Sequence, residues 1–182
     1  PIKSSAASDV YKRQELLVGL IERYPDVKFI VAPHEIDPAR IEKFCERISR
    51  PALRYTQLTP QSDLAAAGVL FVDTIGILSS VYRYGRWGYI GGGFGAGIHN
   101  TLEAATFGLP LAFGPRYGKF REARDLVTLR GAASIASAEE LERWFAGLHD
   151  DPDATGRSGT ICKEYVLQHK GATARIMDEI CR

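Results

Sequence analysis

Apolar residues along this chain gather into short runs, and between those runs they recur every three to four positions. That alternation predicts strands separated by amphipathic helices, an α/β chain. A helix is expected from Glu15 (Leu16, Leu17, Leu20, Ile21) up to Pro25, whose ring cannot continue it. Val27–Ala32 (VKFIVA) is nearly continuous in apolar residues, as for a strand buried on both faces. Ile36–Arg50 carries Ile41, Phe44, Cys45 and Ile48 at helical spacing. Further strands are expected at Leu53–Thr56, Gly68–Asp73, Trp87–Gly92, Leu109–Gly114 and Ala132–Ile135. Further helices are expected in TIGILSSVYRYG, in HNTLEAATFG up to Gly108, and over Phe120–Leu129, Ala138–Leu148 and Thr160–Ile180. Strands joined through helices imply parallel crossovers and a doubly wound sheet.

The first fourteen residues, PIKSSAASDVYKRQ, have no apolar period and are rich in small and polar side chains. They are read as a non-native or disordered lead-in, with the domain running over 15–182. A helix that starts at Glu15 without a cap suggests a domain cut from a longer chain.

Composition narrows the class without giving a function. The chain has 182 residues, 45% of them hydrophobic and 25% charged, which suits one globular domain and excludes wholesale disorder. A formal net charge of +1 argues against a dedicated nucleic-acid binder. No apolar run approaches the roughly 20 residues that span a bilayer, and no signal peptide is visible. Cys45, Cys162 and Cys181 are far apart with no C-x-x-C spacing, so neither disulfide scaffolding nor zinc is expected, and a reducing cytoplasmic compartment is.

Ligands of open parallel sheets bind outside the carboxyl ends of the strands. Those ends carry Pro33, His34 and Glu35; Asp73, Thr74 and Gly76; Gly91 to Asn100; and Gly114 to Lys119. In GGGFGAGIHNTLEAA, five glycines between Gly91 and Gly97 allow positive φ and close approach of backbone to a ligand. The amides and dipole of the following helix suit a phosphate, while a long tight turn explains the glycines equally well. A literal G-x-G-x-x-A string (Gly91, Gly93, Ala96) follows the fourth strand, with no acidic residue ending the next one, so it is a poor dinucleotide signature. Asn100 and Glu103 have capping-box spacing, which the spacing alone favours slightly. The other reading has Glu103 accepting both hydroxyls of a ribose, with Leu102, Ala105, Thr106 and Leu109 turned inward.

These stretches strongly resemble the C-terminal half of the 3-deoxy-D-manno-octulosonic acid (Kdo) transferases. YIGGGFGAGIHNTLEAATFGLPLAFGP carries the resemblance, with VDTIG and PHE before it and KFREARDL after it, and it covers Glu15 to the C-terminus. It implies the Rossmann-like C-terminal half of a GT-B glycosyltransferase. That half would bind the nucleotide of CMP-Kdo, and no metal or other cofactor would be needed. Transfer to the lipid A precursor lipid IVA, in lipopolysaccharide synthesis at the cytoplasmic face of a Gram-negative inner membrane, would need an N-terminal domain. That domain would hold the acceptor, the carboxylate base and the membrane association. The fragment alone is therefore expected to bind donor weakly and to transfer nothing.

Residue by residue, the resemblance gives Glu103 the ribose, Asn100 the turn beside the phosphate, and Gly91, Gly92 and Gly93 the space for the nucleotide. Asp73, Thr74 and Gly76 match D-T-x-G near the nucleotide, and a helix N-cap is the competing role for Asp73 and Thr74. Ile77 and Leu78 stand where the family commonly has Glu-Leu, so no acidic role falls there. Lys119, and more weakly Arg116, would neutralise the donor phosphate or the Kdo carboxylate; an ordinary solvated lysine is the plain alternative. His34 and Glu35 match part of P-R-H-P-E, with Pro33 where the arginine would be. His99 is as readily structural as functional. Asp151-Pro152-Asp153 is a literal D-x-D and is read as a turn. The competing functions are another GT-B enzyme, such as a UDP-sugar transferase or a sugar-nucleotide epimerase, or a non-catalytic nucleotide-binding module. Binding of UDP in preference to CMP selects the former.

Overall fold

The computed structural model describes residues 16–95, 97–171, 177 and 180. The lead-in, Ala96, Cys181 and most of the chain after Gly171 lie outside the described residues, as does that part of the last expected helix. The described chain divides into two compact units: residues up to Gly85 with Ser137–Glu142, and Arg86–Ala136 with the residues from Arg143 onward.

The first unit opens with helix α1 (residues 16–23) and contains strand β1 (Phe29–Val31), helix α2 (Pro38–Cys45), β2 (Ala52–Arg54), β3 (Val69–Phe71) and α3 (Leu78–Val81). Its strands form a parallel sheet in the order β1-β3-β2, with Phe29 and Ala52 both opposite Val69. Ile21, Ile41, Phe44, Ile48, Val69 and Phe71 make the core, and Phe44 meets Phe71 edge to face with centroids 5.4 Å apart. The α1 end is held by Arg50. Its Nη1 donates to the carbonyls of Ile21 and Tyr24, both at 3.1 Å, and its Nη2 to that of Pro25 at 3.0 Å. The guanidinium also lies 5.9 Å from the Phe29 ring centroid. The Ile21 carbonyl is one that the helix leaves unpaired in its last turn, Tyr24 and Pro25 follow directly, and a cation there also suits the dipole.

The second unit contains β4 (Gly88–Ile90), α4 (Leu102–Thr106), β5 (Leu111–Phe113), α5 (Arg121–Thr128), β6 (Ala132–Ser134) and α7 (Pro152–Gln168); α6 (Ala138–His149) has its first residues in the first unit and the rest in the second. Its sheet is parallel with order β4-β5-β6, and every residue of central β5 is fully buried. Against α7, the Trp87 indole N–H donates to the Thr155 hydroxyl at 3.1 Å, which donates in turn to the Leu148 carbonyl at 2.6 Å. Helices α4 and α7 approach backbone to backbone: a Cβ on Gly159 would overlap the Gly108 carbonyl oxygen.

Several expectations shift. The α/β class with parallel strands is as expected, and among the described residues the strands fall into two three-stranded sheets. β1 is an edge strand with Ile30 42% exposed, so it is not buried on both faces. Helix α2 ends at Cys45, not Arg50, as the Arg47 and Ile48 amides donate only three residues back, to the Phe44 and Cys45 carbonyls. TIGILSSVYRYG forms four α-helical residues followed by a 3₁₀ turn, Tyr82–Tyr84. The D-x-D string is no free turn. Asp151 caps α7 by accepting from the Ala154 amide at 2.9 Å, with Pro152 in the first turn, so α7 begins eight residues before Thr160. Asp37-Pro38 starts α2 in the same way. Aspartate supplies the acceptor for an orphan N–H, and proline tolerates the position that lacks a partner.

Candidate functional site

In the second unit the glycine segment after β4 is a turn built by backbone contact. Gly93 has φ +89° and its N–H donates to the Gly97 carbonyl at 2.6 Å. The loop after β5 is laced onto it: Gly114 N–H donates to Gly92 O at 2.9 Å and Arg116 N–H to Gly93 O at 2.8 Å. A Cβ on Gly93 would fall 2.6 Å from the Gly114 carbonyl oxygen, and one on Gly92 would fall 2.7 Å from Ile98 Cα. These two glycines are thus required by the packing of the turn itself. Gly91 differs, since a Cβ there would meet nothing within 4 Å; its Cα faces open space.

Helix α4 follows after Ile98–Thr101 and is only five residues long. The dipole expected to favour a phosphate is correspondingly short, and the turn's amides and nearby cations have more to offer an anion. Asn100 accepts from the Leu102 amide at 3.0 Å and donates its own amide to Glu103 Oε1 at 2.9 Å. This is an Asx turn and not a reciprocal capping box: the carboxylate meets the Asn100 side chain. Glu103 is exposed, and its Oε2 has no partner among the described residues. Ala104, Ala105 and Leu109 pack inward, whereas Leu102 (36% exposed) and Thr106 turn outward, against expectation. Arg116 is exposed, with Nη1 3.4 Å from the Gly95 carbonyl; Lys119 is exposed in the next turn. Phe120, beside it, lies where a Cβ on Gly97 would come within 3.1 Å of its ring. His99, at the same turn, is exposed.

In the first unit, His34 and Glu35 are exposed after β1, and Glu35 Oε2 accepts from Arg40 Nη1 at 2.6 Å. Asp73, by contrast, is buried. Oδ1 accepts from the Thr56 amide at 2.9 Å, and Oδ2 from the Thr56 hydroxyl at 2.6 Å and Arg54 Nε at 2.8 Å. Burial alone would raise the Asp73 pKa, but the Thr56 hydroxyl and amide and the Arg54 guanidinium outweigh it and bring it down to about 2. The N-cap role does not hold, because α3 begins at Leu78 with Ile77 at its cap and no side-chain cap bond. Thr74 is half-buried, Ile75 is 89% exposed and Gly76 has φ +92°. Arg54 and Thr56, expected only as part of a strand, are thus the partners of Asp73. Their two-residue spacing at a strand's end, which puts polar side chains on one face, was the available signal.

Parallel strands, short crossovers and a glycine turn after the fourth strand define a Rossmann-like α/β protein. Among solved structures, the C-terminal CMP-Kdo binding domain of WaaA from Acinetobacter baumannii superposes with a TM-score of 0.73 at 22% identity, over 87% of this chain and 84% of that one. At that identity the likeness is one of fold. No family model matches the chain. In sequence, a 3-deoxy-D-manno-octulosonic acid transferase of Rickettsia bellii is 30% identical over 167 residues, 90% of this chain and 39% of that protein. Its counterpart in Aquifex aeolicus is 29% identical over 110 residues, 60% of this chain and 30% of that protein. That of Chlamydophila psittaci is 24% identical over 151 residues, 82% and 34% respectively. The chain is thus similar in sequence to 3-deoxy-D-manno-octulosonic acid transferases and in fold to the C-terminal CMP-Kdo binding domain of WaaA. It spans between about a third and two fifths of the length of these relatives.

Proposed function

We propose that this chain is the donor-binding domain of a Kdo transferase and binds CMP-Kdo for lipopolysaccharide synthesis. The observation that carries the reading is Glu103, an exposed carboxylate with one oxygen fixed by Asn100 and the other open, beside a turn of bare backbone. A carboxylate so held accepts hydrogen bonds from a ribose diol without first having to be ordered. The open face of Gly91 gives the nucleotide room at the backbone. Arg116 and Lys119, exposed on the adjoining loop, supply positive charge where the phosphate bond to the sugar breaks and charge gathers on the departing CMP.

Attack by an acceptor hydroxyl needs a base to take its proton, and we assign that base, with the lipid A precursor and the membrane contact, to a part of the enzyme beyond this chain. Among the described residues no helix is long and apolar enough to cross a membrane. On this reading the enzyme works at the cytoplasmic face of the inner membrane.

Calorimetric titration of the chain with CMP tests the reading. Weak binding is expected, falling about tenfold in Glu103→Gln, the scale of one charge-assisted hydrogen bond. Absence of CMP binding, or tighter binding of UMP than of CMP, overturns it. Incubation with CMP-Kdo and lipid IVA is expected to give no transfer; turnover by the chain alone would refute the assignment of the base.

A further inference from the structure

We propose that Arg54 is an anion-binding residue, which Asp73 orients through Nε so that the two terminal nitrogens face a phosphoryl or carboxylate group at the carboxyl edge of the first unit's sheet. Arg54 is the last residue of edge strand β2, opposite Phe71, and Asp73 lies two residues beyond Phe71 on the loop leaving β3. Both therefore stand where parallel sheets present their ligand-binding loops. The Asp73 side chain is 1% exposed and that of Arg54 19%. Three donors converge on the two Asp73 oxygens, so the carboxylate is fully satisfied.

Arg54 is not. A guanidinium carries five donors in a rigid fork, and an arginine that serves only to bind a carboxylate commonly does so with two parallel bonds. Here Asp73 takes Nε alone, because the Thr56 amide occupies its other oxygen. Nη1 and Nη2 have no acceptor among the described residues, while the rest of the side chain is mostly packed away. Neither terminal nitrogen is among the buried side-chain atoms without a partner, so both reach water at the open edge of the fork, where an anion can take the water's place with two parallel bonds. Glu35, after β1, is already paired with Arg40.

The donor-binding reading supplies the ligand, as CMP-Kdo carries both a phosphate and a carboxylate; the anion site itself does not depend on it. The test uses the 182-residue chain, with inorganic phosphate and CMP as probes. Phosphate should move the Arg54 Nε resonance in side-chain nitrogen spectra, and Arg54→Gln should weaken phosphate binding several-fold. A purely structural role for Arg54 would leave the phosphate response of the folded variant as strong as in the parent chain. Should Arg54→Gln fail to fold, Arg54→Lys keeps a cation beside Asp73 without the fork and should weaken the phosphate response as well. An unmoved Arg54 resonance, or phosphate binding undiminished in the folded variant, overturns the proposal. A phosphate response without any CMP binding leaves the anion site standing and removes the donor reading instead.

Discussion

The two units secure their strand ends by opposite means. In the first, the edge is tied by charge: a buried Asp73 gathers Thr56 and Arg54, and Arg50 gathers the last carbonyls of α1. In the second, it is tied by bare backbone: Gly93 against Gly114 after the strands, and Gly108 against Gly159 between helices. A charged clasp responds to acid and salt, and it depends on a few side chains that can be exchanged singly. A glycine clasp ignores pH but tolerates no added atom at either contact. Strand-end loops can be built on either, and this chain uses one of each.

Substitutions at the second clasp should have the largest effect. Gly93→Ala adds a carbon 2.6 Å from a backbone oxygen at φ +89°, where only a backbone shift relieves the overlap. A loss of about 3 kcal/mol or more is expected in denaturant unfolding, with Gly114→Ala similar and the double variant far from additive. A loss below about 1 kcal/mol would show the turn to be plastic and dissolve the contrast.

The first clasp should yield to acid. Asp73 is harder to protonate folded, near 2, than unfolded, near 3.8, so its contribution is complete above about pH 4 and is lost as pH falls through 2. That contribution is about 2 kcal/mol. Asp73→Asn should flatten this part of the acid limb, whereas a limb unchanged by the substitution would remove the carboxylate from the account. Next in size, Arg50→Ala should cost between about 1 and 2 kcal/mol, since three carbonyls lose a charged donor and solvent partly replaces it. Gly68→Ala should act through the same clamp, because its Cβ would lie 2.5 Å from Arg50 Nε. The smallest effect belongs to Asn100→Ala, about 1 kcal/mol from the lost Asx turn. It should be accompanied by weaker CMP binding as Glu103 loses its anchor. Asn100→Asp, which cannot donate to that carboxylate, separates the two effects.

The strands were legible because β-runs such as GVLFVD and LPLAFG owe their conformation to continuous burial, which composition displays. Helix lengths were less so. α3 and α4 are cut short by loops whose shape depends on contacts distant in sequence, and α7 starts early on an Asp-Pro signal first read as a turn. In the candidate site, the Asn100–Glu103 pairing could be read from a spacing of three. Asp73 could not be separated from a ligand contact or an N-cap, because its partners Arg54 and Thr56 lie on another strand end, 19 and 17 residues away.

Both tryptophans, Trp87 and Trp144, belong to the second unit, and Trp87 packs edge-on against Phe145 while its indole N–H is bound to α7. Red-edge fluorescence therefore watches the glycine-tied half alone, whereas circular dichroism sums helices from both halves. Monitored side by side in an acid titration, the two optical signals form an internal clock: the ellipticity should begin to decay while the indole emission still holds.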